Sequence, residues 1–316
     1  MSNQEAAFPP TIVITGPTAI GKSALALALA PRFGAEIVSA DSRQVYRHLD
    51  IGTAKPTIAE RGAVRHHLVD IVEPDQPYSA GSFRRDAESA LLELGRRGQV
   101  AFLVGGSPHY LQAVVERLEI PPVPPQPELR RELEQLARVH GPEALHERLR
   151  RVDPTAARQI PATNIRRVIR ALEVYEVTRI PFSEIGRRRG PPLPALRLGI
   201  TTDRKTLYNR IDKRVEMQLR AGLVEEARRL LGMGFSAELP PLAGLVYREA
   251  IAIARGEIQL AQGARRMKET THAFARRQYT WFRRDQGIVW FELGPGLAAR
   301  VAAAIEEYLS NWRTAR

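Results

Sequence analysis

An apolar run from Thr11 to Thr15 stops at a glycine and passes directly into Gly16, Pro17, Thr18, Ala19, Ile20, Gly21, Lys22 and Ser23. This G-x-x-x-x-G-K-S string is the full phosphate-loop pattern, and it sits where that pattern needs to sit, between a strand and a helix. Each residue type has a physical reason. The glycines let the backbone turn successive N–H groups inward. The helix that begins next, Ser23 to Ala30 (SALALALA), adds the positive end of its dipole. Lys22 supplies a point charge, and the Ser23 hydroxyl suits Mg²⁺, which prefers oxygen ligands. The bland alternative is an ordinary strand–turn–helix. The loop does not name a reaction. Neither N-K-x-D nor D-x-x-G occurs in the chain, which argues against a GTPase. A small-molecule kinase fits, and so does any enzyme whose substrate carries a diphosphate.

The rest of the first third repeats the alternation. Glu36 to Ala40 reads as a short strand followed at once by Asp41. Phe83 to Arg97 reads as a helix stopped by Gly98, and Val100 to Val104 as a third buried strand closed by Gly105 and Gly106. Strand and helix in alternation predict an α/β fold with a parallel sheet. Then the composition changes. Ile120 to Pro127 (IPPVPPQP) holds five prolines and reads as a linker. Glu128 to Arg189 is arginine-rich and helical in period, and Arg187 to Pro192 reads as a second linker. Leu196 to Thr201 resumes a strand, Ile288 to Phe291 is a last one, and Leu297 to Trp312 a closing helix. The expectation is a P-loop parallel-sheet core, residues 1–122 and 195–316, with an inserted all-helical domain at 123–194.

In an open parallel sheet the ligand crevice lies at the carboxyl ends of the strands. Asp41 is delivered to that edge, as a general base or metal ligand, or simply as a cap for the next segment. Ser107 leaves the third strand at the same edge, with positioning and capping roles equally open. Arg210 and Arg214 share a helix face beside Lys213; their forks suit phosphate oxygens, but a solvated face is the favoured local reading. The 316-residue chain carries a net charge of +12, which suits a polyanionic partner. Arg276, Arg277, Arg283 and Arg284 are interleaved with Phe274, Tyr279, Trp281 and Phe282, a mixture that suits unstacked RNA, although the aromatics read first as core. His66 and His67 cannot share a strand face and have no evident carboxylate partner, which argues against zinc. There is no cysteine, no apolar run long enough to span a bilayer, and no secretory leader in MSNQEAAFPP, so the expected setting is the cytoplasm, away from membranes.

Taken together, GPTAIGKS, Ser39 to Pro56 (SADSRQVYRHLDIGTAKP), His66 to Ala87, LVGGS (Leu103 to Ser107), Arg166 to Thr178 (RRVIRALEVYEVT) and Arg276 to Arg284 (RRQYTWFRR) resemble the bacterial tRNA dimethylallyltransferase family along nearly the whole chain. The resemblance implies transfer of a dimethylallyl group from dimethylallyl diphosphate to N6 of adenosine 37 in tRNA, by a P-loop core whose helical insertion grips the anticodon stem-loop. It implies that Gly16 to Ser23 and Arg210 hold the donor diphosphate, with Mg²⁺ at Ser23. Asp41 would be the base, Ser107 would bond the flipped adenine, and Arg214 would stabilise the diphosphate. Asp41, Ser42, Arg43, Gln44, Arg166, Arg167, Val168, Ile169, Arg170, Tyr247, Arg248, Arg276 and Arg277 would contact tRNA. A monomer is the family's expected state. This chain departs from the pattern at Ser107, where threonine is usual, at Val246, where glycine is usual, and at Arg166, where glutamine is common. Prenylation of free AMP or ADP is the alternative within the superfamily, and a basic insertion has no purpose for so small an acceptor. A non-catalytic RNA-binding module is the remaining reading.

Overall fold

In the computed structural model, residues 8–120, 123–185 and 188–314 are described; Pro121 and Pro122 of the first expected linker and Arg187 of the second lie outside them, as does the start of MSNQEAAFPP. The described residues form two compact units. One takes the chain up to Tyr78, Phe83–Val115 and everything from Leu193 on; the other takes Ser79–Ser82 and Glu116–Pro192.

The larger unit is built on a six-stranded, all-parallel sheet. Its strands are β1 (Thr11–Thr15), β2 (Ala35–Ser39), β3 (His66–His67), β4 (Val100–Val104), β5 (Ala195–Thr201) and β6 (Ile288–Glu292), in the spatial order β3-β2-β4-β1-β5-β6. β1 is central and wholly buried. That is why it reads as an unbroken apolar run: a parallel strand covered on both faces has no polar side to show. Helices α1 (Lys22–Phe33), α2 (Ile58–Ala63), α3 (Ala80–Arg96) and α4 (Pro108–Val115) come before Glu116 in the chain, with the first residues of α3 counted in the second unit. Within the second unit lie α5 (Pro127–Val152), α6 (Pro154–Gln159) and α7 (Ile165–Thr178). After it come α8 (Arg204–Arg220), α9 (Leu223–Gly232), α10 (Leu245–Ala254), α11 (Leu260–Phe282) and α12 (Leu297–Thr314). One core joins the sheet to α1, α8, α11 and α12 through residues such as Ile12, Phe102, Ile211 and Ile305. A second lies under α8, α9, α10 and α11, around Leu49, Leu230, Tyr247 and Met267. No helix among the described residues is long and apolar enough to cross a membrane.

The second unit is helical, with a core of Leu133, Leu145, Leu149, Val168 and Leu172. α5 is bent at Gly141 (φ 82°), next to Pro142. Proline removes a helix donor and glycine takes the strained angle, so the kink sits where chemistry is cheapest. The second expected linker is partly structured. Leu118 and Arg188 form an antiparallel bridge, and Arg189 N–H donates to Arg117 O at 2.9 Å.

One reading is corrected. His67 does have a carboxylate partner: its Nε2 lies 2.7 Å from Glu36 Oε2, across the β2–β3 pair. Arg97 binds the same carboxylate at 2.6 Å and, more than any other group, holds its pKa down to about 2, against the cost of burial. The partner went unseen because it lies on a neighbouring strand 31 residues away.

Candidate active site

The chain turns out of β1 at Gly16, with φ 137°, where an added Cβ would come 2.6 Å from Ile200 O; only glycine fits. Ala19 (φ 62°) and Gly21 (φ 108°) take positive angles too, and α1 begins at Lys22. Thr18 N–H donates to Gln278 Oε1 at 2.8 Å. Among the described residues, the backbone N–H groups of Ala19 to Ser23 have no protein acceptor. The loop is therefore a concave row of donors at a helix N-terminus, with the chemistry of an anion site.

Cations surround it. Lys22 Nζ donates to Pro17 O at 2.8 Å. Arg210 and Arg214 sit four residues apart on α8 and both bond the loop; Arg214 is half-buried there, while Arg210 reaches the loop from an exposed position. Arg210 Nε donates to Ala19 O at 2.9 Å. Arg214 reaches Thr18 Oγ1 at 3.4 Å and Thr53 O at 3.3 Å. Lys213 is exposed. Burial, and next the charge of Arg214, pull the Lys22 pKa down to about 7, with Asp41 pulling the other way. Burial also lowers the pKa of Arg214, again opposed by Asp41. The pocket holds more positive charge than it can comfortably keep without an anion.

Asp41 lies just past β2, where Ala40 N–H still bonds Val104 O at 2.7 Å. Its Oδ1 accepts from Arg43 N at 2.9 Å and Gln44 N at 3.4 Å, capping the turn that follows. Its Oδ2 has no protein donor among the described residues. Capping uses one oxygen and aims the other. Ser107 braces the same turn: its Oγ accepts from Ser42 N at 3.0 Å, and its own N–H donates to Ala40 O at 3.3 Å. Its hydroxyl proton remains available for a further acceptor.

The residues expected to contact RNA separate into two groups. Ser42, Arg166, Arg167, Arg276 and Arg277 are exposed. Arg276 is steadied by Tyr208 OH at 2.7 Å, and Arg277 lies over Phe274. Phe282 is buried, as its local pattern suggested, while Trp281 packs edge-on against it and stays half-buried. The other group is engaged by protein. Arg43 donates to Pro241 O at 2.7 Å and Gly244 O at 3.2 Å, and burial lowers its pKa. Gln44 accepts from Ser39 Oγ and donates to Thr53 O and Ala54 O. Arg248 binds Glu249 at 2.6 Å, although its side chain stays exposed.

Three tRNA-contact assignments, Val168, Ile169 and Tyr247, need correction. Val168 and Ile169 are buried in the helical unit's core, because α7 turns its apolar stripe inward and leaves Arg166 and Arg167 outside. Arg170 is half-buried, tied to Val123 O at 3.1 Å and to Glu173 at 2.5 Å. Tyr247 has no exposed surface at all. Its hydroxyl donates to Glu226 Oε1 at 2.6 Å, and its ring lies against Gly52, where a Cβ would come within 2.4 Å. The residue that replaces the usual glycine, Val246, is likewise packed in the core.

Two functional-looking carboxylates were missed. Glu226, fully buried, accepts from Asp50 N (3.0 Å), Ile51 N (2.9 Å), Gly52 N (3.1 Å) and Tyr247 OH. It holds the turn whose Thr53 carbonyl receives Arg214. Glu173, also fully buried, accepts from Arg130 (2.7 Å), Arg170 and Gln126 N (2.7 Å), joining α5 to α7. Burial acts to raise its pKa, but those donors together bring it below the ordinary value. Apart from Arg170, three residues before Glu173, their partners lie far off in sequence, so no local pattern marks them.

Known proteins align with this arrangement. The profile of the family described as IPP transferase matches residues 44–285. A tRNA dimethylallyltransferase of Thermomicrobium roseum is 46% identical over 95% of this chain and 92% of its own length. One of a Roseiflexus species is 50% identical over 89% of this chain and 92% of its own. The crystal structure of the full-length tRNA isopentenylpyrophosphate transferase of Bacillus halodurans superposes with a TM-score of 0.69 at 34% identity, covering 96% of this chain and 99% of that one.

Proposed function

This chain belongs to the IPP transferase family, and we propose that it transfers a dimethylallyl group from dimethylallyl diphosphate to N6 of adenosine 37 in tRNA. The observation that carries the reading is the juxtaposition of an open, cation-ringed N–H loop with a carboxylate whose second oxygen is unengaged.

The chemistry uses both halves. The adenine N6 amine is a poor nucleophile because its lone pair is delocalised into the ring, so the leaving group must be made good. Backbone N–H groups of Ala19 to Ser23, Lys22, Arg210 and Arg214 stabilise the charge that grows on the departing diphosphate. As the C1–O bond breaks and the N6–C1 bond forms, Asp41 Oδ2 takes the N6 proton. Ser107 offers its hydroxyl to the acceptor base. The adenine leaves its stack to reach the site, at a cost of a few kcal/mol. Arg166 and Arg167 on the helical unit, and Ser42, Arg276 and Arg277 on the other, supply exposed groups for the RNA.

A divalent cation fits this site in one way. Among the described residues no three His, Asp or Glu side chains gather as a metal cluster. The Ser23 hydroxyl is exposed on the first turn of α1, and with the donor's own phosphate oxygens and water it makes an oxygen set of the kind Mg²⁺ accepts. When bound, Mg²⁺ would add positive charge where the diphosphate leaves. A tRNA acceptor argues for a cytoplasmic enzyme.

Incubation with isotopically labelled dimethylallyl diphosphate and either unmodified tRNA or AMP tests the reading. Label is expected in tRNA as N6-dimethylallyladenosine, without ATP. Label entering AMP alone, or a requirement for ATP turnover, would overturn it.

A further inference from the structure

Gln278 on α11 is almost fully buried, with 3% of its surface exposed, yet it does not serve the core. Both ends of its amide go to backbone at the site. Oε1 accepts from Thr18 N–H at 2.8 Å, and Nε2 donates to Gly106 O at 2.6 Å. The partners fix the amide's orientation, since an N–H must meet the oxygen and a carbonyl must meet the nitrogen. Thr18 belongs to the open phosphate loop, and its hydroxyl receives Arg214. Gly106 precedes Ser107, which braces the turn carrying Asp41. One planar side chain therefore spans the donor side and the acceptor side.

The neighbourhood is built around that span. A Cβ at Gly106 would lie 2.6 Å from Gln278 Nε2 and 3.4 Å from Lys22 Nζ, so the glycine there exists to let the amide in. Packing on this stretch of α11 is supplied by Ala275 and Phe282, which are buried in their own right. The same helix exposes Arg276 and Arg277 immediately before the amide.

We infer that Gln278 is a positioning residue that sets the spacing between the phosphate loop and the Ser107–Asp41 segment, and with it the distance between leaving diphosphate and acceptor amine. The inference rests on the transfer reading for its consequence, but its geometry does not. An in-line displacement tolerates little error in that distance, and a misplacement of about 1 Å costs on the order of 10²-fold.

The near-isosteric Gln278→Met removes both bonds and keeps the volume. Its single-turnover transfer rate, with donor and tRNA saturating, is expected to fall roughly 30- to 100-fold. Dissociation constants for donor and tRNA should stay within about threefold, and the melting temperature within a few degrees. Gln278→Glu keeps an acceptor for Thr18 but can donate to Gly106 only when protonated. Its rate relative to wild type should therefore rise as pH is lowered, while the same ratio for Gln278→Met stays flat. Hydrogen exchange gives a readout independent of transfer: the Thr18 amide should be slow in wild type and fast in Gln278→Met. A Gln278→Met rate within threefold of wild type would overturn the inference. So would a loss fully matched by weaker donor binding, or an unchanged Thr18 exchange. If wild type modifies no tRNA while Thr18 protection is still lost in Gln278→Met, the transfer reading falls and the clasp stands.

Discussion

Two rows of backbone N–H groups in the larger unit present the same kind of anion site, and only one is filled by the protein. At Asp50 to Gly52, three successive donors converge on the buried carboxylate of Glu226, with Tyr247 as a fourth. At Ala19 to Ser23, the donors have no protein acceptor among the described residues, and the surrounding side chains are Lys22, Arg210 and Arg214 instead of a carboxylate. The first row is a structural joint, complete as folded. The second is left short of negative charge, and the strain shows in the depressed pKa of Lys22. What separates a binding site from a joint here is whether the chain supplies its own anion.

The comparison can be broken in several places. The largest effect is expected at Asp41. Asp41→Asn should lower the transfer rate by roughly 10³-fold with tRNA and donor affinities nearly kept, measured by single turnover and titration. Wild-type rates would remove Asp41 from the chemistry. Neutralising the open row should cost donor affinity about 10²-fold in Lys22→Met, measured by titration with dimethylallyl diphosphate. The same change should stabilise the ligand-free fold. Because the folded-state pKa is about 7 against an ordinary lysine value of 10.5, the penalty of holding the charge is full below pH 7. It fades as pH rises towards 10.5, so the gain in melting temperature should be largest near pH 6.5 and vanish at high pH. Glu226→Gln should do the opposite, destabilising by about 3 kcal/mol at neutral pH, since the filled row loses its anion. Tyr247→Phe should cost only about 1 kcal/mol of stability and leave tRNA affinity unchanged. A weaker tRNA affinity in that variant, with the fold intact, would restore Tyr247 as an RNA contact. Smallest is Arg166→Ala, which should weaken tRNA binding and reduce the slope of log affinity against log salt by about one.

Much of the sheet was legible because a buried parallel strand is an apolar run with a hard stop. β1 and β4 were read at their observed bounds, and β2, β5 and β6 within a residue. β3, two residues long, carries too little pattern to read. The phosphate loop announced itself because its geometry needs particular residues in fixed order. Arg210 and Arg214 were visible as a face, but spacing alone does not say whether a face meets solvent or a loop 191 residues away. Glu226, Glu173 and Gln278 were invisible for the same reason. Each acts on backbone groups between 47 and 260 residues distant, and backbone partners leave no residue signature. Val168, Ile169 and Tyr247 erred the other way: a motif read through a family resemblance contains residues that pack the core as well as exposed ones.

The central claim is that the open row awaits a diphosphate and that Lys22 is short of charge until one arrives. Calorimetric titration of the ligand-free protein with inorganic diphosphate at pH 8, repeated in buffers of different ionisation enthalpy, counts protons taken up on binding. With Lys22 at about 7, the wild type should take up close to one proton more than Lys22→Met. Equal uptake in the two proteins would contradict the account.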